Sequence, residues 1–119
     1  MTSRETKGLD KRWSKLIHER DKFCLLCGID RNLNAHHVVG RRAQTLRWDL
    51  DNGLLLCSGC HTFRTRSAHQ NGRWFHEWFT KQYPTRNERL KELEWPPQKQ
   101  DYENISNYLK QKEEEYGLL

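Results

Sequence analysis

At 119 residues the chain has the size of one domain. Only 34% of its residues are apolar and its mean hydropathy is −1.08, so a thin core is expected, held by a metal or a disulfide. There is no apolar stretch of membrane-spanning length and no charged-then-apolar leader; neither a membrane helix nor a signal peptide is expected, and the protein is expected in the cytoplasm. The formal charge of +5 divides unevenly. Residues 1–90 carry 17 Lys/Arg against 9 Asp/Glu, and residues 91–119 carry 4 against 7. A basic body fits a polyanionic partner, or else an ordinary solvated surface.

Residues 1–8 are polar and predicted loose. From Leu9, apolar residues Leu9, Trp13, Leu16 and Ile17 recur at helical spacing, which predicts an amphipathic helix ending near Arg20. Asn34 to Val39 ends in β-branched residues and reads as a short strand; Gly40 to Asp51 is a polar, basic loop. Leu54-Leu55-Leu56 is a second strand, and Ser58 is an expected N-cap for a helix through about Ala68. Asn71-Gly72 breaks the chain before a helix from about Arg73 to Gln82. Its Trp74, Phe75, Trp78, Phe79 and Tyr83 are expected core, with base stacking the alternative. Pro84 is expected to end this helix, and Trp95-Pro96-Pro97 to form a stiff linker. Tyr102, Ile105, Tyr108 and Leu109 mark a short C-terminal helix. The expected organisation is a loose 1–8, a functional domain over 9–83, and a linker with helical appendage over 84–119.

Four cysteines fall in two pairs, Cys24-Leu-Leu-Cys27 and Cys57-Ser-Gly-Cys60. Two such knuckles about 30 residues apart read as one tetrahedral zinc site, with Gly28 and Gly59 supplying turn freedom. Two disulfides are the alternative, disfavoured where thiols stay reduced. Four thiolates fill the coordination sphere, so this zinc would be structural.

Between the knuckles lie His36-His37, then Asp51-Asn52-Gly53, then Cys60-His61. Adjacent strand residues point to opposite faces, so one of His36 and His37 can bind a metal while the other faces a substrate. His61 can supply a second ligand. Phosphodiester hydrolysis needs these two things, a base for water and a cation for the charge growing on phosphate. Either histidine could instead be a satisfied buried residue. His18 and His76 lack neighbouring motif residues and read as surface or packing.

The run Arg20-Asp21-Lys22-Phe23-Cys24-Leu25-Leu26-Cys27-Gly28, with His36-His37, Asp51-Asn52 and Leu55-Leu56-Cys57-Ser58-Gly59-Cys60-His61, resembles the HNH (His-Me finger) endonucleases, in their branch with a four-cysteine zinc site. The resemblance covers about residues 12–69, and small phage and prophage proteins of this branch have a similar layout. It implies a small α+β fold, a ββα-metal finger stapled by the cysteines and flanked by helices. It implies that His37 is the general base, that His36 and His61 hold one catalytic Mg²⁺ or Mn²⁺, and that Asn52 fixes the inter-strand loop and orients the base. The products would be a 5′-phosphate and a 3′-hydroxyl. Many relatives carry a further histidine one turn after the last motif histidine, where this chain has Thr65; two ligands alone would favour Mg²⁺. His69 lies further on, with a direct role only if the helix bends. Arg41, Arg42 and Arg47 in the inter-strand loop, and Arg64 and Arg66 after the second knuckle, are candidate phosphate contacts. The implied partner is DNA, with a phage packaging or recombination protein as a further partner and a monomer or weak dimer as the oligomeric state. The alternatives are a non-catalytic zinc-stapled nucleic-acid-binding module and a junction-resolving nuclease.

Overall fold

The computed structural model describes residues 1–119 and is a small α+β fold. Its elements are α1 (Ser3–Asp21), β1 (Leu33–His37), β2 (Gly53–Cys57), α2 (Gly72–Gln82), α3 (Pro84–Glu94) and α4 (Tyr102–Glu115). A 3₁₀ turn, Leu50–Asn52, leads into β2, and one π-helical turn, Gly59–Phe63, follows it. No helix is long and apolar enough to cross a membrane.

The N-terminus departs from its expected looseness because it carries a capping box. Thr2 Oγ1 accepts the Glu5 N–H at 3.1 Å, and Glu5 Oε1 accepts the Thr2 N–H at 2.8 Å, so the helix starts at Ser3. Lys22, with φ of 67°, ends it.

β1 and β2 pair antiparallel, with Ala35 opposite Leu55, His36 opposite Leu54 and His37 opposite Gly53. The two-residue period sends β2 into two cores. Leu55 faces Leu9, Trp13, Leu16 and Ile17 of α1, together with Ile105 and Leu109 of α4. Leu54 and Leu56 face the cysteines, Phe75, Phe79 and Leu90. A strand covered on both faces needs an unbroken apolar run, which is why Leu54-Leu55-Leu56 shows no alternation.

Gly53 permits the close approach of α1. A Cβ there would lie 2.5 Å from Ile17 Cδ1 and 2.6 Å from Trp13 Cζ2, both on buried side chains. Gly53→Ala is therefore expected to cost about 1–3 kcal/mol through overpacking. Urea unfolding measures this, and an unchanged midpoint would show that α1 can retreat without loss.

Residues 84–94, which the sequence leaves unassigned between the helix stop at Pro84 and the linker at Trp95-Pro96-Pro97, form a helix. Pro84 occupies the first turn of α3, where its missing N–H has no intrahelical partner to lose. α4 is likewise part of the body. Arg12 of α1 donates to Glu113 Oε1 at 2.7 Å and to Ser106 Oγ at 2.8 Å, and Ile105 and Leu109 are buried. Each such side chain contributes about 1.5–3 kcal/mol of burial.

The helix expected from Ser58 to Ala68 is replaced by the π-helical turn and a looped return. Arg64 N–H closes the turn on Gly59 O, after which Ala68 N–H bonds Cys60 O and His69 N–H bonds His61 O. Ser67 is fully buried and its hydroxyl donates to Thr62 O and accepts the Gln70 N–H. Hydroxyl side chains thus take backbone groups that a continuous helix would have used.

Candidate metal centres and the histidine cleft

The two knuckles meet as their spacing predicts. The four cysteines are free thiols, and their sulfurs all lie within 4.8 Å of one another. Cys27 Sγ and Cys57 Sγ are 3.6 Å apart, far beyond a disulfide bond. Tetrahedral zinc with bonds of about 2.3 Å places its sulfurs about 3.8 Å apart, so the donor set fits a metal such as zinc. Burial and then the neighbouring cysteines push the Cys60 thiol well above its ordinary range, and a bound cation relieves that crowding. Arg64 Nη1 donates to Cys60 Sγ at 3.3 Å. Gly28 uses its conformational freedom, at φ of +83°; Gly59 does not, and simply begins the π-helical turn.

A second cluster is formed by His36, His61 and His69, whose ring nitrogens also lie within 4.8 Å. His36 comes from the middle of β1, His61 from the π-helical turn, and His69 from the loop that doubles back onto it. His61 Nε2 and His69 Nε2 are 3.0 Å apart. Adjacent nitrogens bound at about 2.1 Å in octahedral geometry would sit about 3.0 Å apart, so these positions fit a shared ion with open sites. Phe75 packs edge-on against His36, ring centroids 5.0 Å apart. Burial, then the neighbouring histidines, lowers His36 to about 3 and lowers His61 as well. Both are neutral at physiological pH, with lone pairs available for a cation.

His37 points to the other face of β1. Its ring stacks on Trp13, centroids 4.0 Å apart and planes 11° apart. Nε2 lies 3.0 Å from the carbonyl oxygen of Arg47. A carbonyl only accepts, so Nε2 carries the proton and Nδ1 keeps the free lone pair. Burial, partly opposed by that carbonyl, lowers His37 to about 4, so the ring is neutral at pH 7. His36, His37, His61 and His69 line one cleft of about 400 Å³, with Asp10, Trp13 and Ser14 of α1 opposite and Arg41 at its edge.

Asn52 is fully buried and holds the inter-strand loop. Its Oδ1 accepts the Val39 N–H at 2.7 Å, and Nδ2 donates to Val39 O and Leu46 O at 3.0 and 3.1 Å. Leu46 precedes the residue whose carbonyl receives His37. The turn carrying Asn52 is clamped in turn: Arg20 donates to Leu50 O and Gly53 O, each at 2.6 Å, and Arg86 donates to Asp51 O and Gly53 O. Arg89 binds the carboxylates of Asp49 and Asp51.

The five arginines singled out for phosphate contact separate into two groups. Arg41, Arg42 and Arg66 are exposed and in no ion pair. Arg47 is instead held by Asp10 through two hydrogen bonds and lies over Trp48, while Arg64 turns back onto the cysteines. Sequence reasoning made the role of His69 conditional on a bent helix, and left Trp13, Arg86 and Arg89 outside the site. The run Thr62, Thr65, Ser67 was the signal against a regular helix. No known protein family, curated protein or solved structure matches this chain.

Proposed function

We propose that the protein is a metal-dependent endonuclease of the HNH type, hydrolysing DNA phosphodiester bonds in the histidine cleft. One observation carries this reading: three imidazoles, those of His36, His61 and His69, gather within metal-sharing distance while a fourth, His37, faces the same cleft from the other side of β1. In this reading His37 Nδ1 takes the proton of the attacking water, and the Arg47 carbonyl and the Trp13 ring hold the imidazole in place. Asn52 keeps that carbonyl in position through Leu46 and Val39. His36, His61 and His69 would hold one divalent ion, which supplies neutralisation of charge on the phosphate and the leaving 3′ oxygen. Three imidazoles suit Mn²⁺ better than Mg²⁺, which prefers oxygen ligands. The four-cysteine zinc would hold the fold.

Zinc-loaded protein is expected to nick supercoiled plasmid in Mn²⁺ and not in a chelator that spares the zinc. His69→Ala should raise the Mn²⁺ concentration for half-maximal nicking about tenfold or more, since outer-sphere changes alone cost about 10–100-fold. Nicking that persists without a divalent ion would overturn the reading. A folded, zinc-loaded protein that binds DNA but fails to cut it whichever divalent ion is supplied would be a non-catalytic zinc module.

A further inference from the structure

With Arg47 paired to Asp10 and Arg64 turned onto Cys60, a free row of cations remains on α1. Arg4, Lys7, Lys11 and Lys15 recur at spacings of three, four and four, which aligns them along one side of the helix. All four are exposed, none joins an ion pair, and the row is turned away from the buried Leu9, Trp13, Leu16 and Ile17. Ser14, three residues after Lys11 and so its neighbour on the helix surface, lines the histidine cleft. Lys7 is likewise three residues before Asp10, so the middle of the basic row borders that cleft. The helix's carboxylates do little to offset it. Asp10 is bound by Arg47, Asp21 by Arg20, and Glu5 caps the N-terminus; Glu19 lies beyond the row's end.

We infer that the Arg4–Lys15 row of α1 is a docking track for the phosphate backbone of the nucleic acid whose scissile bond enters the histidine cleft. The identity of the ligand as nucleic acid rests on the reading in the preceding subsection. At 1.5 Å per residue the row is about 16 Å long, the axial rise of about five nucleotides of one strand. Flexible lysines meeting phosphates set the position of the duplex without reading its bases, so the track confers affinity and register and no sequence preference. It also gives α1 two jobs at once: one side buttresses His37 through Trp13, and another draws the substrate along the cleft.

The test is binding of a labelled mixed-sequence duplex by the full chain without added divalent ion, at several salt concentrations. In Lys7→Gln/Lys11→Gln, the slope of log Kobs against log[salt] is expected to become shallower by about 1.8, since each phosphate neutralised by a lysine adds about 0.9 to it. Lys81→Gln/Lys91→Gln removes the same charge from α2 and α3 and is expected to keep the wild-type slope. Equal changes in both variants would reduce the effect to bulk charge and overturn the track, as would an unchanged slope in the first, or a wild-type chain that binds no duplex. A slope that depends on Lys7 and Lys11 in a protein that never cuts would leave the track standing and overturn the nuclease reading. Cutting with an unaltered slope would do the reverse.

Discussion

Replacing His37 by alanine is expected to lower plasmid nicking about 10²–10⁴-fold, the usual worth of a positioned general base. Mn²⁺ affinity and zinc content should stay at wild-type levels. The two effects separate because His37 and His36 leave β1 on opposite faces: His37 contacts Trp13 and the Arg47 carbonyl, whereas the proposed cation donors are His36, His61 and His69. The truncation also removes a stacked ring from beside α1, so some stability will be lost. Circular dichroism and Mn²⁺ titration on the same preparation distinguish a folded, metal-binding, inactive variant from a damaged one. Wild-type rates in this variant, or a loss of nicking that only tracks a loss of Mn²⁺ affinity, would remove His37 from the role of base.

Stripping the four-cysteine site is expected to have the largest effect on stability. Structural zinc contributes about 10–16 kcal/mol in small zinc-dependent folds, comparable with or greater than the whole stability of an ordinary domain, about 5–15 kcal/mol. Cys24, Cys57 and Cys60 lie in the core with Leu54, Leu56, Phe75 and Phe79, and Cys27 joins them at the surface. Without the cation this core would hold a crowded set of thiols and no bond tying the residue-24 knuckle to the residue-57 knuckle. Cys57→Ser, or wild type exposed to a strong thiol-competing chelator, should lose near-ultraviolet dichroism and unfold at markedly lower temperature. The α1–α4 core contains no cysteine, so residual helix is expected to outlast the tertiary signal. An unchanged melting temperature after complete zinc release would show that the cysteines are dispensable to the fold.

Much of this was written locally. The Leu9, Trp13, Leu16, Ile17 spacing specifies a buried helix face whatever packs against it, and two C-x-x-C pairs specify paired knuckles because the ligand spacing is itself the geometry. Thr2-x-x-Glu5 was equally legible as a capping box, although the polar composition around it suggested a loose end. Alternation along β1 was enough to separate His36 from His37, since neighbouring strand residues face opposite ways.

Other features depend on contacts between distant parts of the chain. Ser58, read as an N-cap, points to one helix after it. The π-helical turn and its return are set by the cysteines, by the buried Ser67 hydroxyl, and by the carbonyls of Cys60 and His61 that accept from Ala68 and His69. That return is what brings His69, eight residues on, to 3.0 Å from His61. In the same way Arg86 reaches Asp51 and Gly53 only because α3 folds back against the turn that carries Asn52, and Arg47 leaves the surface only because Asp10 of α1 is there to receive it. The sequence by itself determined the helix face, the cysteine knuckles and the opposed histidines, since each depends on residues a few positions apart under fixed backbone periodicity. The tertiary structure alone decided the third histidine, the clamped Asn52 turn and which arginines remain free, since each requires two separate segments to meet and satisfy one another's polar groups.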